Sequence, residues 1–234
     1  MAARLLAVTF DARDPARLAS FWSDVLGRAV VADLGGSLLP GDDDTQLGLR
    51  FVASRKEKLG RYRIHLHLTS DSAAHQRHTV ATALGLGAHP LDVGQLPEEE
   101  HVVLADPEGN EFCVIEPGNA FLAGCGVLGE LAGEGTRDVG LFWSEALGWP
   151  LVWDQDEETA IQSPRGGTKV AWGGPPVAPL TTGRRQRYDL ATDGDLVREV
   201  DRLVSLGAAR IRRGRDGTVV LTDPDDNEFD VRVS

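Results

Sequence analysis

An α+β fold of four β-α-β-β-β units, grouped into two tandem domains with curved mixed sheets and helices on their outer faces, is what this 234-residue sequence predicts. Three observations lead there. The stretch LADPEGNEFCVIEP, Leu104 to Pro117, returns at the end of the chain as LTDPDDNEFDVRVS, Leu221 to Ser234. SFWSDVLGR, around Phe21 and Trp22, returns as LFWSEALGW around Phe142 and Trp143, so both motifs recur about 120 residues on, the mark of a tandem repeat. Each half also divides again into strand, helix and three strands. Two domains follow, 1–117 and 118–234, joined near Gly118 to Gly126.

In order along the first half, LLAVTFDA alternates as a strand and ARLASFWSDVLG carries apolar residues at helical spacing with Gly27 as its stop. RAVVAD, GSLLP and LGLRFV then read as short strands. After the charged connector SRKEKLG the pattern restarts: RIHLHLTSD as strand, SAAHQRHTVATALGLGA as helix, and HPLDVG, HVVLAD and EFCVIEP as strands. Such a unit leaves one sheet face bare, so units must pair, and the bare faces become a cleft for a small ligand. The repeated turn needs only structural reasons. Asp106 suits the first position of a type I turn, Pro107 presets φ, and Gly109 takes the left-handed geometry that Asp226 must adopt in the second copy.

Composition narrows the function. The formal net charge of −12 disfavours nucleic acid and favours, if anything, a cationic small molecule. No run of eighteen apolar residues exists, and the N-terminus lacks a signal peptide's apolar stretch, so no membrane association and a cytoplasmic location are expected. Cys113 and Cys125 match neither a zinc nor a redox spacing and are expected as reduced thiols. Either a monomer or a homodimer is compatible with four units in one chain.

The FWSDVLG helix, the segment LRFVASRKEKLGRYRIHLHL and the ending DPEGNEFCVIEP together resemble the glyoxalase/bleomycin-resistance/extradiol dioxygenase superfamily, the vicinal oxygen chelate fold, in its glyoxalase-like subgroup. The resemblance covers Leu5 to Pro117 strongly and Gly126 to Ser234 more weakly. It implies either a metal-independent protein that sequesters a small molecule, or a lyase, isomerase or dioxygenase using a divalent Fe, Mn, Ni or Zn. In the enzymes, the first and last strands of the units supply the metal's His, Gln or Glu ligands.

Strand parity tests this set. Ile64, Leu66 and Leu68 should face the helix, turning Arg63, His65, His67 and Thr69 to the cleft. The resemblance makes His65 the metal candidate, with His65 and His67 as candidate catalytic residues and His67 as general base. Its other ligand positions fall on Ala7, Cys113, Leu128, Arg187 and Asp230, of which only the thiol and the carboxylate are donors. The shell is therefore expected to be incomplete and no metal is the leading expectation. Arg63, His65 and Cys113 in the first half, and Arg187, Asp189 and Asp230 in the second, are the expected ligand-binding residues. The charges of Arg187, Asp189, Asp230 and Arg232 read as a paired network facing inward. Trp149, Trp153 and Trp172 are candidate cavity walls, and the second half is expected to be the more degenerate.

Overall fold

The computed structural model describes residues 3–33, 35–43, 45–55, 62–96, 98–177, 185–214 and 217–234; most of the charged connector, 56–61, lies outside them. The four expected units are all present. The first runs β1 (Arg4–Ala12), α1 (Pro15–Leu26), β2 (Val31–Asp33), β3 (Gly36–Leu39) and β4 (Gly48–Ala53). The second runs β5 (Ile64–Leu68), α2 (Ala73–Gly85), β6 (His89–Pro90), β7 (Val102–Ala105) and β8 (Glu111–Val114). The third comprises β9 (Leu128–Gly133), α3 (Arg137–Leu147), β10 (Leu151–Gln155), β11 (Glu158–Gln162) and β12 (Lys169–Trp172). The fourth comprises β13 (Gln186–Thr192), α4 (Leu196–Ser205), β14 (Ala209–Arg213), β15 (Val219–Thr222) and β16 (Glu228–Val233). None of the described helices is long and apolar enough to cross a membrane.

Local chemistry sets the helix ends. Asp14 caps α1 by accepting the Arg17 amide at 3.0 Å, Pro15 occupies the first turn, where its missing N–H costs nothing, and Gly27 closes the helix at φ 70°. Gly148 does the same for α3 at φ 66°.

The units pair across the halves, not within them. The first sheet has the order β14-β15-β16-β13-β1-β4-β3-β2 and so joins units one and four; the second, β10-β11-β12-β9-β5-β8-β7-β6, joins units three and two. Antiparallel seams, β1 with β13 and β5 with β9, stitch each sheet together. The boundary drawn at 117/118 thus separates repeats in the sequence, not sheets in space.

Within each half the units meet through their helical layer, and the two repeated motifs form that joint. Trp22 of α1 lies edge-on to Phe112 of β8, with ring centroids 5.0 Å apart, and its Nε1 donates to Asp106 at 3.1 Å. Trp143 of α3 repeats this against Phe229 at 4.9 Å and Asp223 at 3.1 Å. Asp106 also accepts the Glu108 and Asn110 amides and the Asn110 side chain, so a fully buried carboxylate holds the turn and the tryptophan together. Gly109 at φ 82° and Asp226 at φ 65° take the left-handed position expected of them. Both buried carboxylates have raised pKa values because burial outweighs their hydrogen bonds, Asp223 reaching about 6.

Candidate functional site

With apolar side chains turned to the helices, each sheet has a helix-free face whose residues alternate with the core. Ile64, Leu66 and Leu68 are buried in the core, while His65 and His67 between them are half-buried on the opposite face. In the second sheet, register aligns four side chains on the central strands into a row: Cys113 on β8, His67 on β5, Glu130 on β9 and Lys169 on β12. His67 Nδ1 donates to Glu130 Oε2 at 2.7 Å. Burial alone would lower the His67 pKa, but hydrogen bonds to Cys113 and Glu130, and their charges, outweigh it and raise it to about 10. Lys169 donates to the Phe121 carbonyl, with its ammonium 4.0 Å from the centroid of the Phe121 ring.

Beside the row lies a cavity of about 380 Å³, walled by Trp153, Trp172 and Phe121 and bearing His67, Glu130 and Glu158 as its polar groups. Phe121 meets Trp153 edge to face at 6.1 Å. Trp153 and Trp172 thus border a cavity, Trp172 while it also fills core at 2% exposure. Trp149 lines a different one of about 320 Å³, against the first sheet.

The six expected ligand-binding residues do not form one site. His65 faces the right way, but its Nε2 donates to the Tyr62 carbonyl at 2.8 Å, and burial lowers its pKa, so it is a neutral ring tied to backbone. Arg63 turns instead to the second DP turn, donating to the Asp225 carbonyl at 2.8 Å and Asn227 Oδ1 at 2.9 Å. Cys113 sits beside His67 in a small apolar cluster with Val103, Ile115, Leu122 and Cys125. Arg187, Asp189 and Asp230 lie on the other sheet.

There the network expected from alternating charge is formed. Arg187 bridges Asp11 at 2.9 Å and Asp230 at 2.8 Å. Asp189 accepts from Thr9 at 3.1 Å and pairs with Arg50 at 3.1 Å and Arg232 at 3.5 Å, and Arg50 reaches Asp33 at 2.8 Å. Burial raises the Asp230 pKa against the opposing pull of Arg187. Because β1 and β4 share this face with β13 and β16, the paired network draws on both halves.

Glu130 and Lys169 are the residues that parity missed. Carrying the repeat straight through placed Leu128 at the key position of β9, but a register shift between His67 and Leu68 puts Leu128 opposite Leu68 and Glu130 opposite His67. Leu128 and Leu131 are both in the core, a spacing that breaks strict alternation. The available signal was the single acidic residue in the apolar run LGELAG.

A family model described as "Glyoxalase-like domain" matches residues 7–115 and again 133–232. The chain belongs to the glyoxalase-like domain family. Its whole length also superposes on solved structures: glyoxalase I from Zea mays, at TM-score 0.69 and 14% identity over 98% of this chain and 92% of that one, and a putative dioxygenase from Bacillus subtilis subsp. subtilis str. 168, at 0.62 and 13% over 99% and 85%. At such identities the likeness establishes the fold. No curated protein sequence matches this glyoxalase-like chain.

The superfamily implies a divalent metal on the helix-free face, and the residues present do not fit one. In the second sheet the row offers a thiol, an imidazole, a carboxylate and an ammonium; His67 and Glu130 spend donor atoms on each other, and Lys169 brings a positive charge to the strand beside the carboxylate. In the first sheet the matching row is Asp230, Asp189, Ala7 and Gly48, where two positions have no donor and the two carboxylates are held by arginines. Among the described residues no three His, Cys, Asp or Glu side chains are grouped to hold a metal ion.

Proposed function

We propose that this glyoxalase-like protein binds a small organic molecule with an aromatic or apolar body and a positive group, on the helix-free face of the second sheet and without a metal, acting in the cytoplasm as a monomer or homodimer. The cavity beside His67 carries this reading: Trp153, Trp172 and Phe121 wall it, and with Glu130 paired to His67 and the Phe121 ring facing Lys169, Trp153 and Glu158 are the groups that would meet a cation. An aromatic face and a carboxylate both attract a cation, and the net charge of −12 reinforces that preference at long range.

The test is tryptophan fluorescence with two matched probes, benzylamine and benzoate. Benzylamine is expected to bind and benzoate to bind weakly or not at all, and Trp153→Ala is expected to weaken benzylamine binding about 5- to 30-fold through lost ring contact. Equal response to both probes, or no effect of the substitution, overturns the reading. A second reading, an enzyme of the superfamily, is favoured by the His67–Glu130 pair, which is built like an acid–base group, so that His67 and not His65 would move the proton. Stoichiometric Fe, Mn, Ni or Zn in the purified protein, lost in His65→Ala or His67→Ala, would replace the first reading by a metal-dependent lyase, isomerase or dioxygenase.

A further inference from the structure

We propose that Cys113, His67 and Glu130 form a thiol–imidazole–carboxylate relay that makes Cys113 a nucleophile toward small electrophiles. The three side chains are register partners on adjacent strands and share one sheet face. Glu130, only 9% exposed at its side chain, holds His67 Nδ1 at 2.7 Å, which fixes the ring and leaves Nε2 as its other reacting position. Cys113 is the register partner of His67 on the adjacent strand, so its thiol stands beside the same imidazole. A carboxylate that orients an imidazole, which in turn takes a proton from a nucleophile, is an arrangement that recurs on unrelated folds.

The second cysteine provides an internal contrast. Cys125 belongs to the same apolar cluster but is 1% exposed against 9% for Cys113, and its sulfur accepts from the Gln162 amide at 3.5 Å with no imidazole beside it. Burial pushes the Cys125 thiol up, against the pull of Lys169. The charged and titratable groups facing the relay are His65 on its own strand, Glu111 on β8, Lys169 on β12, Glu158 on β11 and Cys125 on the segment that links the halves.

With iodoacetamide as probe, Cys113 Sγ forms the S–C bond, the C–I bond breaks, iodide leaves with the bonding pair, and the thiol proton stays on His67. Peptide mass spectrometry on the whole protein at neutral pH should find Cys113 alkylated at least about tenfold faster than Cys125, and His67→Gln should slow it about tenfold or more. The pH profile of Cys113 labelling should change in the His67→Gln variant. Labelling no faster than Cys125, or a profile unchanged by His67→Gln, each overturns the relay. The inference uses the cleft proposed above only through His67, which lines it and is the register partner of Cys113. Benzylamine binding by Cys113→Ser tests that cleft separately, so either idea can fail while the other stands.

Discussion

The helix-free faces of the two sheets place different chemistry on equivalent positions. Across the central strands of the second sheet stand Cys113, His67, Glu130 and Lys169; across those of the first stand Asp230, Asp189, Ala7 and Gly48. On the first sheet every acidic side chain of the network has an arginine against it, and the cavity beside it is bordered by Arg50 and Arg232, already paired to those carboxylates. On the second, the ionic contacts stay within the row, and the neighbouring strands contribute alanines, a glycine and tryptophans that leave room. A polar face becomes a brace where its charges are spent on one another, and a site where aromatic and apolar walls border the cavity beside them.

The comparison breaks first at Arg187. Replacing it with Ala removes the guanidinium that bridges Asp11 and Asp230, so we expect a loss of about 2–4 kcal/mol in denaturant unfolding, while His67→Ala should cost about half as much or less. If the two losses are equal, the brace and the site are not distinct. Next come the two copies of the joint. Trp22→Phe and Trp143→Phe each remove a 3.1 Å hydrogen bond to a buried carboxylate and leave a small void. Each should lower stability by about 1–3 kcal/mol, and by similar amounts, since Asp106 and Asp223 keep their asparagine and backbone donors. A large inequality would show that the halves share the joint in outline only.

The effect smallest at any single pH separates the faces by titration. His67 has a folded pKa of about 10, above the usual histidine value of about 6.5, so its stabilising contribution is complete below the latter and is lost as pH rises through the former. Unfolding free energy followed from neutral to alkaline pH should therefore decline, and His67→Gln should flatten that decline. Arg187→Lys, on the other face, should leave the slope in place. A slope unchanged by His67→Gln would place the alkaline titration elsewhere.

Much of this was legible in the chain itself. The DP turns, the FW helices and the strand alternation announced four units, and parity put His65 and His67 on the face away from Leu66 and Leu68. Parity does not fix register: the repeat carried straight through chose Leu128, two residues from Glu130, which the register shift puts opposite His67. It is also silent about partners: Arg63 alternates correctly, yet it lies at the strand's end, where the nearest acceptors belong to a turn more than 160 residues away.

What the sequence by itself determined is the repeating unit, because periodicity, capping and turn chemistry act between residues close along the chain. Only the tertiary structure decided which units share a sheet. The tryptophan joints occupy the helical faces within each half, so the remaining strand edges pair between halves, unit one with four and two with three. That long-range choice sets Cys113, His67, Glu130 and Lys169 side by side and gathers the arginine-bound carboxylates elsewhere, and no local rule contains it because backbone hydrogen bonds between strand edges are nearly indifferent to which strand supplies them.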